Sequence, residues 1–113
     1  MLSKESRKEA VRSFKDLKPS IGIYSVRSAI SGRTWVGASR NLEAMKNSCW
    51  FQLRNGLHRE KSLQEEWDLR GESAFEYEIV DRLDVDMHDL EIGDELKKRR
   101  SEWAARLNAP QLL

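Results

Sequence analysis

Apolar positions recur along this chain with two different periods, and the change from one to the other marks its elements. Ser6 and Glu9 form a capping-box pattern, Ala10, Phe14 and Leu17 follow at helical spacing, and Pro19 ends the run. This predicts an N-terminal helix within residues 1–19, about four turns long, packed by one apolar edge on a domain spanning 20–113. Ile21–Arg27 and Arg33–Ala38 are rich in β-branched and aromatic residues and flank Ser-Gly at Ser31-Gly32. They read as a β-hairpin in which Gly32 supplies a positive φ. Asn41 then caps a helix with Leu42, Met45, Cys49 and Leu53 on its inner side, ending at Gly56. Leu63 and Trp67 mark a shorter helix closed by Gly71. Phe75, Tyr77 and Ile79 alternate with Glu76 and Glu78, which predicts a strand with one wet face over 75–83. A last helix from about residue 88 carries Leu96, Trp103 and Leu107 until Pro110. The expected order is α-β-β-α-α-β-α, an α+β domain with a small three-stranded antiparallel sheet flanked by helices.

A chain of 113 residues fits one domain with one modest core. Charged residues make up 35 % and the apolar set, with four tryptophans, 39 %, too apolar for a disordered tail. The start, Met1-Leu2-Ser3-Lys4-Glu5, lacks an apolar stretch of the secretory type, and no segment approaches the roughly 20 apolar residues of a membrane span. The expectation is a cytoplasmic protein with no membrane partner. Cys49 has no second cysteine for a disulfide, and with only His58 and His88 it builds no zinc set. Its expected role is a small buried hydrophobe.

Net charge is +1, yet the charges are segregated. Residues 1–64 carry thirteen Lys or Arg against five acids, 65–96 two against thirteen, and 97–113 five against one. Such segregation allows a basic face for phosphate in a near-neutral protein, or else describes solvated faces of alternating sign.

Gly22-Ile23-Tyr24 and Trp35-Val36-Gly37 lie on the two arms of the expected hairpin. The pair resembles the signature of the GIY-YIG nuclease family, over roughly residues 20–108, and most closely its small single-domain bacterial members. The resemblance implies a three-stranded antiparallel sheet flanked by helices and a metal-dependent endonuclease acting on nucleic acid, DNA favoured. It places Tyr24 as the general base or its relay. A phenol with an ordinary pKa of about 10 needs positive charge or a metal-linked water nearby for that work. Trp35 stands where the family has its second tyrosine. An indole N–H only donates, so Trp35 is no base, but it can pack beneath a substrate strand or donate to a phosphate oxygen. Gly37 lets a bound strand approach the backbone.

Elsewhere the chain departs from the pattern. The position of the phosphate-clamping arginine is Met45, leaving Arg40 in the preceding loop, or Lys46, as substitutes. His58 follows the Gly56-Leu57 loop, where it either shuttles a proton near the active centre or caps the next helix. Counting back from Trp103 puts Arg100 in the place of the metal-binding glutamate, and the spacing Leu96, Arg100, Trp103, Leu107 turns Arg100 inward. Glu95, or Glu91, holds Mg²⁺ or another divalent cation only if the helix starts later or kinks near Gly93. Of the family's late Tyr-Asn only Asn108 remains. Three readings follow. One is a working nuclease using Tyr24, Arg40, His58 and Glu95; the second is a nucleic-acid-binding protein in which Arg100 meets phosphate in place of metal. The third is a protein-interaction module docking a basic partner through the acidic segment 65–95.

Overall fold

The structure, a computed structural model, describes residues 20–83 and 89–112. The expected helix within residues 1–19 lies outside them. Strand β1 (Gly22–Ser28) is central and pairs antiparallel with β2 (Thr34–Ser39) on one side and β3 (Phe75–Arg82) on the other. Helices α1 (Leu42–Arg54) and α2 (Lys61–Arg70) follow the hairpin, a short 3₁₀ turn (Glu72–Ala74) leads into β3, and α3 (Asp89–Leu107) follows it.

The local signals act where they stand. Gly32 takes φ +78°, and its N–H donates to Ser28 O while Ser28 N–H donates to Arg33 O, which closes the hairpin. Asn41 Oδ1 accepts from Ala44 N–H at 3.0 Å and caps α1. On β3 only Glu76 and Glu78 form the expected wet face; Val80 and Asp81 are partly covered by α3. A register shift between Ile23 and Tyr24 explains the change, because β3 carries an extra residue there. Gly22 permits the close approach, since a β-carbon at that position would stand 2.0 Å from Asp81 O.

The sheet differs from the expectation by a fourth strand. β4 (Gln111–Leu112) pairs parallel with β2, Val36 opposite Gln111 and Gly37 opposite Leu112, and gives the order β3-β1-β2-β4. Two residues show no alternation in a sequence, so β4 exists only through its partner: Val36 N–H donates to Pro110 O at 3.0 Å and Leu112 is buried.

Alternation on β1 and β2 then feeds two cores. Tyr24, Val26 and Trp35 pack with Leu42, Cys49, Trp50, Leu53, Leu63, Trp67 and Phe75 under α1 and α2. Ile23 and Val36 point the other way and pack with Ile92, Leu96 and Ala104 of α3. The stripe of α3 is thus Ile92, Leu96, Ala104 and the edge of Trp103, whereas Leu107 is largely solvent-exposed. No helix among the described residues is long and apolar enough to cross a membrane.

Candidate functional site

Tyr24 lies opposite Gly37 on β2 and Ile79 on β3. Its ring lies across Gly37, where a β-carbon would stand 2.4 Å from Cζ and 2.5 Å from the hydroxyl. Gly37 therefore makes room for the tyrosine rather than for a bound strand. The ring stacks on Tyr77 with centroids 5.3 Å apart, and the Tyr77 hydroxyl donates to Leu42 O at 2.7 Å. Only 4 % of Tyr24 is exposed, at a cavity of about 200 Å³ that it shares with Met45, Cys49 and Gln52 of α1, His58, Arg59 and Leu112. Its hydroxyl has no hydrogen-bond partner among the described residues. Burial pushes the phenol well above the usual tyrosine range, Cys49 and Tyr77 add to this, and Arg100 alone pulls it down. The Cys49 thiol is itself pushed up to about 12 by burial, so the expected buried hydrophobe is what stands beside Tyr24.

His58 stands between the Tyr24 cavity and the start of α2. Its Nδ1 accepts from Glu60 N–H at 3.0 Å, just ahead of α2, and its backbone N–H donates to Gln64 Oε1. The ring also lines the Tyr24 cavity and a second cavity of about 280 Å³ with Arg59, Glu60 and Leu112. Burial lowers its pKa more than nearby Glu60 raises it, and a ring accepting at Nδ1 is neutral with its proton on Nε2. Arg59, next in sequence, lines both cavities and has no carboxylate partner among the described residues. Arg59 and Gln52 carry no motif, and only adjacency to His58 and the α1 spacing Met45, Cys49, Gln52 point to them in the sequence.

Other expected contacts lie elsewhere. Trp35 is fully buried, and its indole N–H donates to Ser62 Oγ at 2.9 Å, which in turn donates to Glu60 Oε2 at 2.7 Å. It fills the core and offers no donor to a phosphate, a departure from the sequence expectation set by tight packing against Phe75 and α2. Arg40 does not enter the hairpin groove. Its Nη2 lies 3.6 Å from where a β-carbon of Gly93 would stand, against α3 on the opposite face of the sheet.

Consecutive arginines of α3 leave for opposite edges of the sheet, because successive side chains on a helix point about 100° apart. Arg99 reaches the β3 edge, where Nη1 donates to Asp81 Oδ1 at 3.2 Å and Nε donates to Glu95 Oε2 at 2.6 Å. Trp103 Nε1 donates to the other oxygen of Asp81 at 3.0 Å. Arg100 reaches the β4 edge, where Nε donates to Gln111 Oε1 at 2.8 Å. From there its charge acts on Tyr24, and it has no carboxylate partner among the described residues. Unseen in the sequence, β4 supplies the Gln111 amide that holds Arg100 at this edge.

These donors do not fit a divalent cation at Tyr24. The groups that act on its hydroxyl are a thiol, a phenol and a guanidinium, and Glu95 is held by Arg99 at the β3 edge. No cluster of three His, Cys, Asp or Glu suited to a metal occurs among the described residues. Part of the acidic segment is matched from within: Glu66 pairs with Arg33 and Arg70, Glu72 with Arg54, Glu76 with Arg27, and Asp81 and Glu95 with Arg99. These pairs reduce the charge the segment could offer a basic partner.

No protein-family model and no curated protein sequence matches the chain. Two solved structures do. The catalytic domain of the homing endonuclease I-TevI is 21 % identical, with TM-score 0.69 over 82 % of this chain and 98 % of that domain. An alanine point mutant of the same catalytic domain gives 22 % identity and TM-score 0.68 over 79 % of this chain and 84 % of the other. I-TevI is a GIY-YIG homing endonuclease. This chain, with its mostly antiparallel four-stranded sheet between α1–α2 and α3, has a GIY-YIG-like fold.

Proposed function

We propose that this chain is a nuclease-like protein that binds nucleic acid at the Tyr24 end of its sheet and does not hydrolyse it. The observation that supports the reading is the charge around the tyrosine. Arg59 lines the tyrosine's cavity from the His58 loop and Arg100 acts on its charge from the β4 edge, neither with a carboxylate partner among the described residues, while Arg27, Arg33, Arg54, Arg70 and Arg99 are engaged by acids. Unpaired guanidiniums at a groove suit phosphate, which they meet with two N–H donors each. Hydrolysis needs more: an activated water, a cation for the developing charge and a base. Tyr24, held protonated by burial, is a poor base at neutral pH, and by the GIY-YIG resemblance Arg100 stands where the acid that would carry Mg²⁺ is expected.

The test is a salt titration of DNA binding with the whole chain, with and without Mg²⁺ or Mn²⁺, followed by separation of products. The expected result is binding that weakens steeply with salt, is indifferent to metal and leaves the DNA intact. Metal-dependent strand cleavage that disappears in Tyr24→Phe would establish the working nuclease instead.

A further inference from the structure

The groove at Tyr24 is recessed, and a recess is more than a phosphate ridge requires. Its two cavities, of about 200 and 280 Å³, share His58, Arg59 and Leu112, and together they fall within the roughly 300–1,000 Å³ common for ligand sites. Met45 and Leu112 give the inner part an apolar floor. Its polar groups are of a different kind from those at the rim: the amide of Gln52 and the hydroxyl of Tyr24 each donate and accept, and His58, with Nδ1 committed to Glu60 N–H, offers Nε2. Flat, mixed donor-acceptor edges over an apolar floor are the complement of a nucleobase, while Arg59 at the shared mouth suits the phosphate attached to it. A continuous duplex keeps its bases stacked and presents phosphates alone, so it leaves this recess empty. The groove on the opposite face, about 430 Å³ between Arg27, Glu78, Trp103 and Leu107, is a poorer candidate, because Arg27 is already paired with Glu76 and the Glu78 carboxylate repels phosphate.

We propose that the cavity beside Tyr24 receives an unpaired base, so that the nucleic acid bound is single-stranded DNA or a duplex with an unpaired end. The proposal rests on the nucleic-acid-binding reading above and names its substrate class.

Fluorescence anisotropy with one labelled sequence, presented to the whole chain as a single strand, a tailed duplex and a blunt duplex at one salt concentration, tests it. The single strand and the tailed duplex are expected to bind about tenfold more tightly than the blunt duplex. Met45→Trp, which fills the recess, is expected to bring that preference below about twofold while leaving blunt-duplex affinity and its salt dependence in place. Gln52→Leu, at a partly exposed position that tolerates an apolar side chain, is expected to reduce the preference without closing the recess, and circular dichroism checks that both variants fold. Equal affinity for the three forms, or a preference untouched in both folded variants, would overturn the base pocket and leave phosphate binding standing. Tighter binding of the same sequence as single-stranded RNA would overturn the choice of DNA. Failure to bind any form would overturn the nucleic-acid reading itself.

Discussion

The two edges of the sheet use the same helix for opposite ends. At the β3 edge Arg99 is held between Asp81 and Glu95, and Trp103 donates to Asp81 as well, so charge is satisfied inside the protein. At the β4 edge Arg100 is steadied by a neutral amide, Gln111, has no carboxylate partner among the described residues, and its charge acts on Tyr24. One residue of rotation on α3 thus separates a closed ion network from an open cationic site. Charge content does not decide which arginine can meet a phosphate; the carboxylates on its side of the sheet do.

Within the Tyr24 face there is a second division, between packed core and recess, and the largest expected effect tests it. Trp35→Ala is expected to cost about 3–5 kcal/mol in denaturant unfolding, as truncation of a fully buried aromatic does. A change near zero would return Trp35 to the surface and to substrate contact. The comparison of the edges is tested by the consecutive arginines. Arg100→Glu is expected to weaken DNA binding roughly tenfold and to lower the slope of affinity against salt, with the fold intact. Arg99→Gln is expected to leave binding unchanged and to lower stability by no more than about 1 kcal/mol, because its ion pairs are partly solvated. If both substitutions weaken binding equally, the two edges are not distinct.

The smallest effect concerns pH. Burial depresses the pKa of His58 in the folded chain below its unfolded value of about 6.5, so folding favours the neutral ring. That contribution is complete above the unfolded value and is lost as pH falls through the lower native one. Wild-type stability is therefore expected to fall more than that of His58→Gln between about pH 7 and 5. Parallel pH profiles would show that burial does not depress the His58 pKa in the folded chain.

Local rules made much of the fold legible. The Gly32 turn, the Asn41 cap and the 42–45–49–53 stripe of α1 each depend on residues a few positions apart, and the hairpin carrying Tyr24 stands where alternation put it. Met45 and Cys49, inward-facing by their helical spacing, border the tyrosine. What escaped depends on distant partners. β4 has no periodicity of its own, the bulge beside Gly22 appears only when β1 meets β3, and Arg40 is positioned by α3, some fifty residues further on. The acidic block of 65–96 looked like a charged surface because the arginines that neutralise part of it, Arg27, Arg33, Arg54 and Arg99 among them, lie far off in the chain.

By itself the sequence determined β1 to β3, the helices after the hairpin, and the placing of Tyr24 and Gly37 on its two arms, all consequences of periodicity and of turn and capping chemistry acting over a few residues. Only the tertiary structure decided which charges remain uncompensated. Coulomb interaction follows distance in space, and the topology that places Glu95 at one edge and Arg100 at the other leaves cations at the tyrosine where the signature led one to expect a metal-binding acid.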